Sequence, residues 1–238
     1  METETASTVE MSAAEMNTLE RMAGVFTSPG RVFASVAEKP NWVIPTLVVV
    51  AVSLVVFMLA GDIFLAEGLE RQERIMLEQG RDPAEVEQAL EMTEKFGRIF
   101  GYGAAVLTPF ATVVVVAGVF LFIGNVIMGG KARYIQLLGV TAYSFLIVVL
   151  YRLVVLPIIL ARETTKVTFS LAAFLPEDAS RTFLYQLLTS VDVFYLWWAV
   201  VYAIGLGAVY KMRTQKMAGV VIGVYAVFAV VSAFVGSR

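Results

Sequence analysis

Apolar residues along the chain gather into five long runs, at about residues 42–61, 99–128, 134–161, 183–210 and 217–236, with polar and charged positions concentrated between them. A hydrocarbon core of ~30 Å is crossed by ~20 residues of helix. Lipid offers the backbone no hydrogen-bond partner, so runs of this kind must satisfy their amides internally. The pattern predicts an all-α fold: a polytopic transmembrane bundle of five helices.

The polar intervals carry their own plans. Between the first two runs, residues 62–98 form a charged insert in which Glu67 precedes Arg71, Glu70 precedes Arg74, Glu91 precedes Lys95 and Glu94 precedes Arg98, each by four positions. That is the favoured order for ion pairs on a helix surface. Gly80 can end a first helix, and Asp82, Pro83 and Glu85 fit the N-cap, N1 and N3 positions of a second. The insert therefore predicts a helical hairpin, either a solvated linker between spans or a docking site for a partner. Before the first span, Ser28 and Pro29 suit an N-cap and N1, and Val32, Phe33, Val36 and Ala37 fall on one apolar face. Residues 1–41 then read as a cytoplasmic segment with an amphipathic helix in the membrane interface and Trp42 as its aromatic anchor. Met16, Leu19, Met22, Ala23 and Phe26 repeat the apolar pattern more weakly upstream.

Composition narrows the class further. Of 238 residues 58% are hydrophobic and 16% charged, against ~25% charged in soluble domains, so a single membrane domain over 42–236 is expected. The residues ahead of Trp42 lack the basic and apolar regions of a cleavable signal, and the first span is expected to act as its own targeting signal. Cysteine is absent, which excludes disulfides, thiolate metal sites and thiol lipidation. Histidine is absent as well, removing the commonest general base and metal ligand. Basic residues cluster at Arg31 and Lys39, at Lys131 and Arg133, and at Lys211, Arg213 and Lys216, whereas the 62–98 insert holds ten acids to five bases. The positive-inside rule puts the three basic clusters in the cytoplasm. The N-terminus is then cytoplasmic, and the insert and C-terminus are outside, in what would be the inner membrane of a bacterium.

Few positions suggest chemistry. Arg152 interrupts the third run and Asp192 the fourth, and each stands nineteen residues from the basic residue at its inner end, Arg133 or Lys211. At ~1.5 Å per residue both lie ~28 Å above the cytoplasmic boundary. Charged residues at such depth pair, snorkel separately to the headgroups, or mark a substrate or proton path, and all three readings stay open. Pro109 and Pro157 can kink their helices. Ala199, Ala203 and Gly207 recur every four residues, as do Gly219 and Gly223, a spacing that lets helices approach closely within one chain or between copies. Gly129-Gly130-Lys131 lacks the rest of a phosphate loop and reads as a turn. Tyr143, Ser144, Thr108, Thr112 and Asn125 are candidates for hydrogen bonds across helices. No catalytic constellation emerges, so neither an enzyme nor a cofactor, a metal or nucleic acid is expected. The expected partners are the lipid bilayer and a membrane-protein partner or second copy of the chain.

Ser28-Pro29 with Phe33, Gly129-Gly130-Lys131 with Tyr134, Tyr143-Ser144, and Asp192 followed by Phe194, Trp197 and Trp198 together resemble the Yip1 domain family over about residues 24–236. The resemblance implies a five-helix integral membrane protein with a cytoplasmic N-terminus. Eukaryotic relatives are linked to Rab GTPases, vesicle traffic and membrane shaping, while bacterial relatives have no settled activity. The short N-terminus and the charged insert depart from the eukaryotic pattern and look more bacterial. The expected function is a non-enzymatic membrane scaffold or adaptor. The alternative is a small transporter or channel for an ion or lipid, with Arg152 and Asp192 near its outer mouth.

Overall fold

The computed structural model describes residues 16–176 and 182–236. Among them five helices are long and apolar enough to cross a membrane. Two short helices come first: α1, Thr18–Thr27, and α2, Pro29–Glu38. The spans are α3, Val43–Glu78; α4, Pro83–Phe122, continued by a π-helical turn Ile123–Ile127; α5, Tyr134–Ser144, followed after Phe145 by α6, Leu146–Arg162; α8, Val193–Tyr210; and α9, Thr214–Gly236. A short helix α7, Phe183–Thr189, precedes α8.

The chain divides into two compact units. The first comprises the chain up to Leu47, Thr112–Val148 and the chain from Thr168; the second comprises Val48–Ala111 and Val149–Val167. In the first, α2, α5, α8 and α9 surround a core in which Phe33, Leu137, Tyr143, Ile147, Tyr202 and Leu206 are fully buried. In the second, Ala60, Val155, Leu156 and Ile159 form the centre, with Val56, Ile63 and Tyr151 packed around them.

Several local expectations hold. Asp82 caps α4, its carboxylate accepting from the Ala84 amide at 2.8 Å, with Pro83 at the first helical position. Gly80, at φ +74°, makes the turn that ends α3. The insert is not a separate pair of helices, however, because α3 and α4 run unbroken from the apolar runs into it. Its arms are held together by Met76 and Val86, which are buried, and by two glycines. A Cβ on Gly97 would stand 2.5 Å from Leu65, and one on Gly101 would stand 2.0 Å from Phe57.

Three expectations need correction. The N-terminal helix does not present its apolar face to lipid: Val32, Phe33 and Val36 have no exposed surface. Gly205 and Gly139 make the room, since a Cβ on the first would lie 3.1 Å from the Phe33 ring and one on the second 2.8 Å from Val36. In α1 the buried positions are Arg21 and Val25, while Leu19 is 75% exposed. The fourth span is Val193–Tyr210 rather than 183–210, because the chain leaves the helix at Ser190–Asp192 and Asp192 starts a new one.

Candidate functional site

The second unit contains a cavity of about 490 Å³ between α3, α4, α6 and the segment after α6. Its walls are mainly apolar, with Val56 and Phe57 from α3, Ala105 from α4, and Val155 and Ile159 from α6. Ser53 and Arg152 stand at one end, and Thr165 lines the other. The Arg152 guanidinium donates to the Ser53 hydroxyl, whose oxygen in turn donates to the Val49 carbonyl at 2.8 Å. The serine is thus oriented by its own helix, back-bonding one turn down as serines in apolar helices do.

Beyond the Thr165 end, Glu67 on α3 fastens the segment that follows α6. Its carboxylate accepts from the Thr164 hydroxyl at 2.6 Å, from the Thr165 amide at 3.0 Å and from the Thr165 hydroxyl. Glu67 therefore serves a contact about a hundred residues away in sequence rather than the expected pair with Arg71, and Arg98 pairs with Asp62 rather than with Glu94. Asp62 and Arg98 form an ion pair at 2.6 Å between the arms, with both side chains mostly exposed. A pair in that setting contributes little to stability.

The other predicted residues lie in the first unit. Asp192 is 2% exposed and is the N-cap of α8, its carboxylate accepting from the Phe194 amide at 2.8 Å and the Tyr195 amide at 3.4 Å. A carboxylate at a helix N-terminus is favoured by the free amides and the helix dipole. Arg152 and Asp192 thus belong to different units, and each has partners within its own. Pro29 opens α2, and Phe33 fills the space beside Gly205. Gly129-Gly130-Lys131 is a turn, with Gly129 at φ +70°. A Cβ on Gly130 would lie 2.5 Å from the Tyr210 ring and 2.8 Å from the Gly124 carbonyl. Lys131 is exposed. Tyr143 and Ser144 are fully buried at the end of α5, and the Ser144 hydroxyl has no hydrogen-bond partner among the described residues. The Tyr143 hydroxyl lies near Arg21, a buried arginine whose guanidinium donates to the Lys39 carbonyl at 2.9 Å and the Ser35 hydroxyl at 2.8 Å.

Ala199 and Ala203 are buried on α8, and Gly207 gives room to Met212 and Thr214 at the start of α9. Gly219 and Gly223 do not pack within the chain: both are exposed, with nothing near a Cβ at either position. The packed face of α9 is Met217, Val221, Ala229 and Ala233 with half-buried Tyr225, which donates to the Ser190 carbonyl at 2.8 Å. Gly219 is two residues from both Met217 and Val221, about 200° around the helix, and so points the other way. The close-approach glycines sequence reasoning passed over are Gly97, Gly101, Gly124, Gly139 and Gly205. Gly97 and Gly101 stand four residues apart, the spacing that would have found them, whereas none marks Gly124, Gly139 or Gly205.

Five apolar helices with buried interhelical contacts define a multi-pass integral membrane protein. The chain belongs to the Yip1 domain family, whose model matches residues 23–235. It is similar to the membrane protein YknW of Bacillus subtilis strain 168, at 26% identity over 236 residues, covering 96% of each chain. No solved structure matches it.

Proposed function

We propose that the protein is a non-enzymatic membrane scaffold or adaptor that recruits a partner protein through the hairpin formed by α3 and α4. The reading is carried by one observation: these helices have 36 and 40 residues, about 54 and 60 Å of rise, whereas a hydrocarbon core is ~30 Å thick. Their arms project well beyond the bilayer. They are charged yet display Ile75 and Leu77, each 46% exposed, and Met92, 61% exposed, a mixture that suits a transient protein contact. The basic turns at Lys131, Arg133, Lys211 and Arg213 support a cytoplasmic N-terminus and an extracytoplasmic hairpin.

A photo-crosslinking residue at Met92 should capture a specific protein in native membranes, and Met92→Glu with Ile75→Glu should abolish its copurification. Capture of lipid alone, or copurification indifferent to those charges, would refute the adaptor. For orientation, a reporter active only in the cytoplasm should give signal when fused at Lys131 or Arg213 and none within 75–85. A second reading, a transporter or channel for an ion or lipid, is favoured by the cavity beside Arg152. Substrate flux across proteoliposomes that is lost in Arg152→Ala would promote it.

A further inference from the structure

One end of the first unit gathers bases without acids. No Asp or Glu occurs between Glu94 and Glu163 or after Asp192, so the turn from α4 to α5 holds Lys131 and Arg133, and the turn from α8 to α9 holds Lys211 and Arg213, with no carboxylate in either. The fold presses these turns together. Gly124 and Gly130 leave room for the Tyr210 ring, since a Cβ on the first would lie 2.1 Å from it and one on the second 2.5 Å, and the Tyr210 hydroxyl donates to the Phe120 carbonyl at 3.1 Å. Lys131 and Lys211 are the residues that follow Gly130 and Tyr210. Asn125 fixes the first turn between its two bases, donating to the Ala132 carbonyl at 2.9 Å and accepting from the Ala132 amide at 3.0 Å. Gln136 accepts from the Arg133 amide at 2.8 Å and donates to the Ala37 carbonyl at 2.7 Å, which brings in the end of α2 with Lys39 and its neighbour Glu38. Lys39, Lys131, Arg133, Lys211 and Arg213 are exposed, and none forms an ion pair with another described residue. Orientation during insertion depends on how many bases each loop carries and does not require the folded turns to meet. Like charges held together repel, and an external anion relieves that repulsion.

We propose that this basic face binds the headgroups of anionic phospholipids in the leaflet where these spans end, with Lys131, Arg133, Lys211 and Arg213 meeting the phosphates. Their depth selects a lipid as the ligand. Arg133 adjoins the first residue of α5, Lys211 the last of α8 and Arg213 the first of α9, so they stand in the polar layer that flanks the ~30 Å hydrocarbon core. Val126, Ile127 and Ile135, beside them on the spans, are exposed and belong in hydrocarbon rather than against a soluble polyanion. Clusters of about four to eight bases at the end of a membrane helix attract anionic lipid, and the long stems of lysine and arginine let the charged ends reach the phosphates. The site lies apart from the α3–α4 hairpin and requires neither partner docking there nor transport.

The test is native mass spectrometry of the full chain, released from mild detergent after equilibration with phosphatidylglycerol and phosphatidylcholine of matched chains. The wild type should retain phosphatidylglycerol over phosphatidylcholine by about fivefold or more, the order expected of one basic residue at an anionic surface. Lys131→Gln with Arg133→Gln, or Lys211→Gln with Arg213→Gln, should each lower the preference, and the four together should erase it. Arg71→Gln with Arg74→Gln, which removes two exposed bases from the hairpin, should leave it intact. About 1 M salt, where the screening length falls to ~3 Å, should weaken it. Equal retention of the two lipids by the wild type overturns the proposal without recourse to any variant, so a variant that fails to fold does not shelter it. An unchanged preference in the folded fourfold variant overturns it as well, and an equal loss in the hairpin variant would assign the preference to net charge and overturn the site. Displacement of the lipid by inorganic phosphate at matched ionic strength would reassign the site to a free anion and overturn the lipid assignment.

Discussion

Replacing Phe33 by alanine separates two accounts of the N-terminal helix. A residue on an interfacial helix contacts lipid or detergent on one side, and its truncation should fall within the ~0.5 kcal/mol typical of surface changes. Phe33 instead has no exposed surface, and its ring lies 3.1 Å from where a Cβ on Gly205 would stand. Truncating a buried phenylalanine costs about 3–5 kcal/mol, part from lost transfer free energy and part from the cavity left behind. Detergent reduces the transfer part, because the unfolded segment still finds apolar surroundings, so about 3 kcal/mol is expected. Gly205→Ala provides the complementary perturbation. Its Cβ would sit 2.4 Å from Val140 and 3.1 Å from Phe33, and overpacking of this kind costs about 1–3 kcal/mol. In the Phe33→Ala background the contact with the ring is relieved while that with Val140 stays, so the double mutant should recover part of the Gly205→Ala cost, by about 0.5 kcal/mol. The assay is equilibrium unfolding in mixed micelles, followed by tryptophan fluorescence. A Phe33→Ala cost at the surface level, or strictly additive effects with Gly205→Ala, would refute the buried placement of α2.

Asp192→Ala should destabilise by about 1 kcal/mol, the value of a lost N-cap, whereas Asp192→Asn should retain most of the stability because the amide oxygen still accepts from the Phe194 amide; equal losses in thermal melts would mean that the charge matters rather than the cap. Gly130→Ala should be more damaging than Gly129→Ala, since its Cβ meets both the Tyr210 ring and the Gly124 carbonyl, while the second substitution incurs only the left-handed backbone cost of about 1–2 kcal/mol; melting temperatures in the reverse order would contradict the packing of that turn. Glu67→Ala removes the three hydrogen bonds that hold Thr164 and Thr165 and should speed tryptic cleavage after Arg162 and Lys166, with a stability loss of about 1.5–3 kcal/mol, the value of a hydrogen bond to a charged group; an unchanged digestion pattern would show that the segment does not depend on this carboxylate.

The chain's own sequence determined what depends on neighbours within a few residues. Five apolar runs of spanning length dictate five helices, because unsatisfied amides cannot exist in lipid. Gly80, Asp82 and Pro83 mark the turn between α3 and α4, and Pro29 the start of α2, although the Ser28 side chain makes no capping hydrogen bond, because caps and turns are local chemistry. The family resemblance was legible for the same reason, being carried by short motifs at span ends. Which face of each helix is buried was decided by the tertiary structure. Where nearly every position of a span is apolar, lipid-facing and protein-facing residues look alike, and close packing rather than hydrophobicity selects the interface. Gly219 and Gly223 have the spacing of a packing motif yet face outward, whereas Gly205, Gly139 and Gly124, without that spacing, lie where side chains close in. The same holds for the polar groups. Arg152 meets Ser53, and Glu67 meets Thr164 and Thr165, across nearly a hundred residues, and no pattern local to either partner encodes such a meeting. Asp192 looked like a charge inside a span because its flanks are apolar. Only the break in the helix at Ser190–Asp192 makes it a cap, since a carboxylate buried there needs the free amides that a new helix N-terminus supplies.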